Sequence, residues 1–161
     1  MHSTTAPARQ DYLKHTPELF KKFLDFSMAI PLDPKLRGLV DIRASQLNGC
    51  AFCLDMHVKQ AKLHDERELR VHHIAIWRES PLFSEKERAA LAWTEALTQL
   101  DAHGVSDTLY AEVSEHFAPA ELNALTYLVM GINGWNRLNI AFRQPPGSKD
   151  KAYGLDKAGL A

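Results

Sequence analysis

The amino-acid sequence predicts a single all-α domain of about six to seven helices. Apolar residues recur at three- and four-residue spacing along most of the chain, which is typical of helices that bury one face. No convincing run alternates apolar and polar residues as a half-buried strand would. The chain has 161 residues, of which 45% are hydrophobic and 24% charged, so one globular core is expected.

Prolines and capping residues predict where the first helices begin. Pro17 suits the first turn of a helix that ends before Pro31. Asp33 followed by Pro34 then predicts an N-cap and the first residue of a second helix. Both helices carry apolar residues at helical spacing, so each is expected to pack against a core.

The second helix is predicted to stop just before the two cysteines of the chain. Asn48-Gly49 is a C-terminal stop signal, so Cys50 starts a third helix. Further helices are predicted at about 66–78, at 84–101 behind a capping box of Ser84 and Glu87, at 106–116 behind Ser106, and at about 119–142 behind Pro119. Short connections favour an antiparallel bundle.

Both ends of the chain lack helical periodicity. Residues 1–16 are polar, and residues 144–161 are rich in Pro, Gly and Lys. We expect two extended arms around a core of about residues 20–143. Arms of this kind often wrap a neighbouring subunit.

Charge and hydropathy exclude two classes of partner. The formal net charge is -1, whereas proteins that bind nucleic acid or anionic membranes usually carry a basic excess. The N-terminus has no signal-peptide core, and no apolar run approaches the roughly 20 residues of a membrane span. We therefore expect a cytoplasmic protein with no nucleic-acid or membrane partner.

The segment that contains Cys50, Cys53 and His57 predicts dithiol redox chemistry. Residues three and four apart share a helical face, so the two sulfurs and the imidazole converge. At a helix start, free backbone N–H groups and the helix dipole stabilise a thiolate, which is the reactive form of cysteine. One sulfur can attack an oxidant and the other can close a disulfide.

Other interpretations of the cysteine pair stay open at this point. A zinc site would need His57 with another histidine or a carboxylate such as Asp55. Two buried cysteines with no chemical role are a third possibility. Covalent haem attachment requires histidine directly after the second cysteine, where the chain has Leu54.

Three segments resemble the alkylhydroperoxidase D-like family of the carboxymuconolactone decarboxylase superfamily. They are LRGLVDIRASQLNGCAFCLDMHVKQA, AIWRESPLFSEKERAALAWTEALT and NGWNRLNIAF. The resemblance implies an alkylhydroperoxidase D-like helical bundle that assembles into homotrimers or hexamers. It also implies an antioxidant enzyme that reduces hydroperoxides, with organic hydroperoxides as the expected substrates. No metal or cofactor is implied, and the expected partner is a thiol reductant or reductase.

The resemblance assigns a role to each member of the cysteine segment. Cys53 attacks the hydroperoxide and becomes a sulfenic acid, and Cys50 resolves it as a disulfide. His57 belongs to the proton relay that helps to generate the thiolate. The residues alone do not indicate which sulfur attacks first.

The chain departs from the family's peroxidase motif at two positions. Gly38 stands where a relay glutamate is expected, twelve positions before the first cysteine, and Phe52 stands in place of a second histidine. Asp41, Gln46 or Glu95 could rebuild the relay. Gly38 therefore adds weight to a disulfide reductase or electron-transfer adaptor that never meets peroxide. A decarboxylase-like lyase or a structural oligomer is the alternative from another class.

Overall fold

The computed structural model describes residues 9–160. In this range the chain forms α-helices and short 3-10 helices and no strand, which confirms the all-α prediction. The α-helices are α1 Tyr12–His15, α2 Pro17–Met28, α3 Pro34–Asn48, α4 Ala51–Leu63, α5 Glu68–His73, α6 Glu85–Thr98, α7 Asp107–Ser114, α8 Pro119–Phe142 and α9 Asp150–Tyr153. The 3-10 helices are Ile74–Ile76 and Leu155–Ala158. None of the helices in this range is long and apolar enough to cross a membrane.

Helix α3 lies at the centre of the molecule and packs against α4, α6 and α8. One apolar cluster joins its Val40 to residues of α6 and α8, such as Leu125. A second cluster joins Leu39 to Ile74 and Leu91. Burial from several directions holds α3 rigidly, because close-packed interiors resist small displacements.

The residues predicted to cap α3 do so in the structure. The Asp33 carboxylate accepts the backbone N–H groups of Lys35 and Leu36 at 3.0 Å. Gly49 ends α3 in the left-handed conformation with φ 68°, which favours glycine because it has no Cβ to clash. The cysteines therefore follow a sharp turn at the buried end of the central helix.

The helix predicted over 66–78 is shorter and less regular in the structure. Helix α5 covers Glu68–His73 and continues into the 3-10 helix Ile74–Ile76. The apolar periodicity is similar in both forms, so it does not reveal the change in hydrogen bonding.

The N-terminal segment packs on the end of α8 from residue 9 onward, although residues 1–16 are expected to extend from the core. The Arg9 N–H donates to the Phe142 carbonyl at 3.1 Å. The buried ring of Tyr12 lies 5.7 Å from that of Phe142 between centroids. The rest of the expected arm, residues 1–8, lies outside the described range.

The C-terminal segment also folds back where an extended arm is expected. Leu155 and Ala158 are buried, and their 3-10 helix packs on α4. The buried Lys59 ammonium lies 2.7 Å from Asp150 and 2.8 Å from Asp55. These apolar and charged contacts join residues far apart in sequence, so local composition does not predict them.

Candidate functional site

The two cysteines begin helix α4. Cys50 is its N-cap residue, and Cys50 Sγ accepts the backbone N–H of Cys53 at 3.3 Å. The two are joined by a disulfide, with their Cα atoms 5.3 Å apart. Their residues are only 2% and 1% exposed. The sulfurs therefore lie together in a nearly closed site at the positive end of a helix dipole.

His57 lies one helical turn after Cys53 and is 8% exposed. Its Nδ1 is 2.8 Å from Oε1 of Gln60 and 3.7 Å from Oδ2 of Asp41. Because both neighbours of Nδ1 are oxygen acceptors, the proton of the neutral imidazole belongs on Nδ1. Nε2 is then free to accept a proton.

Asp41 enters the same region from α3, one helix away from His57. Its Oδ2 lies 3.8 Å from Nε of Arg37, and the residue is buried. Burial raises the pKa of the Asp41 carboxyl above its ordinary value, while the charges of His57 and Arg37 partly offset this rise. The structure thus brings one of the three candidate relay residues to the imidazole.

Gln46 and Glu95 belong to a different cluster around Arg43. The Arg43 guanidinium donates to Gln46 at 3.2 Å and to Glu95 at 2.8 Å. Burial alone would raise the pKa of Glu95, but hydrogen bonds from Trp77, Arg78 and Arg43 lower it below its ordinary value. Among the described residues, the hydrogen bonds of both side chains go to this cluster and not to His57 or the cysteines.

The position of the missing glutamate is open space. A Cβ built on Gly38 would meet no atom within 4 Å. Gly38 precedes Asp41 by three residues on α3, so both positions share a helical face. Asp41 therefore lies about one turn nearer to the cysteine end of α3 than the missing side chain would.

Two residues of the site come from outside the cysteine segment and were not predicted. Asn139 on α8 is 4% exposed, and its Nδ2 donates to Cys53 Sγ at 3.8 Å. The Tyr12 hydroxyl donates to Asn139 Oδ1 at 2.9 Å. One pattern in the sequence could have pointed to Asn139: Asn136 and Asn139 stand at helical spacing from the apolar residue Ile132, which is buried in the structure. Nothing in the sequence linked that face to Cys53.

The carboxylate named for a zinc site has other partners in the described part of the chain. No three His, Cys, Asp or Glu side chains there are grouped to hold a metal ion. Asp55, which could have been a ligand, accepts from Lys59 at 2.8 Å and from the Gly147 N–H at 3.1 Å.

Comparison with known proteins identifies relatives of both sequence and structure. The model of the carboxymuconolactone decarboxylase family matches residues 17–96. The uncharacterized protein YdfG of Bacillus subtilis (strain 168) is 35% identical over 144 residues, which cover 88% of this chain and 98% of YdfG. The family match includes the cysteine segment and helices α3 and α4.

Solved structures share the fold. A protein of unknown function from Agrobacterium tumefaciens, whose name suggests an AhpD role in antioxidant defence, superposes with a TM-score of 0.83. It is 35% identical, and the match covers 87% of this chain and 98% of that one. The debrominase Bmp8 has a TM-score of 0.75 at 20% identity over 91% of this chain and 80% of its own, which is a likeness of fold. The chain therefore belongs to the carboxymuconolactone decarboxylase family and has its AhpD-like helical fold.

Proposed function

We propose that this protein is a thiol-dependent peroxidase that reduces organic hydroperoxides through Cys50 and Cys53. The observation that carries the proposal is the pairing of these cysteines at the start of α4, with His57 one turn away and the Asp41 carboxylate 3.7 Å from its ring. A cysteine pair that opens and closes within one helical turn needs little backbone movement. The name of the Agrobacterium relative points to the same class of activity.

In the proposed cycle the Cys53 thiolate attacks the outer oxygen of the hydroperoxide. An S–O bond forms, the O–O bond breaks, and the leaving alkoxide takes a proton to become the alcohol. The Cys50 thiolate then attacks the Cys53 sulfenic acid, so that the S–S bond forms and hydroxide leaves as water after protonation. The peroxide gains two electrons and the cysteine pair loses two. An external dithiol returns two electrons and two protons.

His57 and Asp41 are the proposed proton relay. With the proton of the neutral ring on Nδ1, Nε2 can accept the thiol proton and later give it to the alkoxide. The imidazolium that forms between these steps is stabilised by the carboxylate near Nδ1. Asp41 would thus take the place of the family's relay glutamate, because this chain has Gly38 at the glutamate position.

Peroxide consumption by the full chain tests the proposal. We expect the wild type to consume cumene hydroperoxide with dithiothreitol as reductant, and Cys53→Ser to fall to the uncatalysed rate. His57→Gln should lose on the order of 10²-fold because general acid–base catalysis contributes at least that much. His73→Gln is the matched control, since His73 lies on α5 and its ring bonds to Ser80. Equal rates for the wild type and Cys53→Ser would refute the proposal.

A second candidate uses the same dithiol without peroxide. Gly38 favours it, because the relay glutamate of the family's peroxidase motif is absent. A disulfide reductase or electron-transfer adaptor would form the Cys50–Cys53 disulfide by exchange with another disulfide. Reduction of a small disulfide by the wild type, with no consumption of hydroperoxide, would identify this activity.

Association of identical subunits is the expected assembly. Several large apolar side chains of α2 and α8 are exposed in the single chain, among them Leu19, Met28, Tyr127 and Met130. Exposed apolar patches commonly mark contact surfaces. Light scattering of the full chain would distinguish a monomer from a trimer or hexamer.

A further inference from the structure

The side-chain amide of Asn139 is held by three hydrogen bonds. Its Nδ2 donates to the Trp135 carbonyl at 2.9 Å and to Cys53 Sγ at 3.8 Å. Its Oδ1 accepts the Tyr12 hydroxyl at 2.9 Å. Because a backbone carbonyl can only accept, the amide nitrogen must face Trp135. The same orientation directs an N–H group toward the sulfur.

Tyr12 is well placed to hold that orientation. Its ring is buried between Phe142 and Phe20, at centroid distances of 5.7 Å and 6.2 Å. Burial, together with the nearby Tyr153 and Asp11, raises the pKa of the Tyr12 hydroxyl to about 12. The hydroxyl therefore keeps its proton, and remains a donor to Asn139, throughout the neutral range.

In the structure the Cys53 sulfur belongs to the Cys50–Cys53 disulfide. A donor at this position matters once the disulfide is reduced, because Cys53 is almost completely buried. Removal from water disfavours the charged thiolate relative to the thiol, whereas a hydrogen bond to the sulfur favours the thiolate. The backbone N–H of Cys53 points to Cys50 Sγ and not to its own sulfur. Among the described contacts of Cys53 Sγ, the Asn139 amide is thus the polar side-chain donor.

We infer that Asn139 is a positioning residue that stabilises the Cys53 thiolate, and that Tyr12 locks the Asn139 amide in the donating orientation. The inference rests on the proposed thiol chemistry, since it concerns the sulfur that attacks peroxide. It extends the site to α1, so the N-terminal helix is part of the structure that tunes the thiolate.

The reactivity of the Cys53 thiol can be measured without peroxide. In full-length protein with Cys50→Ser, the alkylation rate by iodoacetamide is followed across pH by mass spectrometry. Asn139→Ala should raise the pH midpoint of alkylation by about one unit, or slow the reaction about tenfold at neutral pH, because a hydrogen bond to a charged group is lost. Asn139→Asp has the same shape but replaces the N–H group with an acceptor, so its midpoint should rise further. Tyr12→Phe should shift the midpoint in the same direction by less.

Asn136→Ala is the matched control. Asn136 is a buried amide on the same helix, but it donates to Ser45 Oγ at 3.0 Å rather than to sulfur. Its removal should lower stability and leave the midpoint unchanged. An equal shift in Asn136→Ala would overturn the inference, because it would show general loosening of α8.

The remaining experimental outcomes also test the role proposed for Asn139. Asn139→Ala and Asn139→Asp proteins that are folded by circular dichroism but keep the parent midpoint would overturn the inference. If neither folds, Tyr12→Phe decides, and an unchanged midpoint there overturns it. A wild type that fails to consume peroxide would reject the proposed function, whereas the alkylation midpoints would still test the role of Asn139.

Discussion

Helices α2 and α8 approach each other closely at Gly134, so the tertiary structure decides whether alanine at this position stabilises or destabilises the protein. A Cβ at Gly134 would lie 2.7 Å from Cζ and 3.3 Å from Cε1 of Phe23. The Phe23 ring is stacked on Trp135, with centroids 4.2 Å apart. It therefore has little freedom to move away from an added methyl group, and we expect Gly134→Ala to strain the contact between the two helices.

Two opposing effects set the change in the free energy of unfolding that Gly134→Ala causes. Glycine to alanine inside a helix stabilises by about 1 kcal/mol when space is available. Overpacking a well-packed contact costs about 1–3 kcal/mol. Gly131 on the same helix is the matched control, because its added Cβ would lie 3.7 Å from Phe26 and Ser27, an ordinary contact distance. Gly134→Ala should therefore be less stable than Gly131→Ala by about 1–3 kcal/mol.

Urea unfolding of the wild type and both variants measures this difference. Far-ultraviolet circular dichroism is the suitable signal, because Trp135 next to the substitution would disturb fluorescence. All proteins are compared at one concentration, since association would also affect stability. The reasoning about close approach is refuted if Gly134→Ala is as stable as Gly131→Ala or more so.

Two further predictions concern buried charges. Because burial raises the pKa of Asp41 above its ordinary value of 3.8, its contribution to stability is full below that value and is lost as pH rises through the folded-state pKa. Asp41→Asn should therefore unfold at a higher urea concentration than the wild type at neutral pH, and the difference should be smaller near pH 4. The variant should also lose peroxidase activity. A variant less stable than the wild type at neutral pH would contradict the stability prediction. Lys59→Met leaves Asp55 and Asp150 without their shared cation. Amide hydrogen exchange should therefore accelerate in residues 150–158. Lys62→Met changes an exposed position of the same helix and should leave the exchange rates in that segment unchanged.

Local signals predicted much of the fold because they act over a few residues. Pro34 after Asp33, Gly49 before Cys50, and Ser84 with Glu87 each mark a helix end by satisfying or replacing its free backbone groups. Both observed ends of α3 and the start of α6 agree with these signals, whereas α6 ends at Thr98 rather than at the predicted residue 101. The end segments were harder to predict, since burial of Tyr12 and Leu155 depends on surfaces of α8 and α4 that are distant in sequence.

The sequence by itself predicted that Cys50, Cys53 and His57 lie on one side of a helix start, because residues three and four apart share a face of any α-helix. It could not choose among Asp41, Gln46 and Glu95, and it gave no sign that Asn139 reaches Cys53. Those relations depend on how α3, α4 and α8 pack and rotate against one another. Packing of the whole core decides that geometry, and only the tertiary structure shows that Asp41 faces His57 while Gln46 and Glu95 bind Arg43.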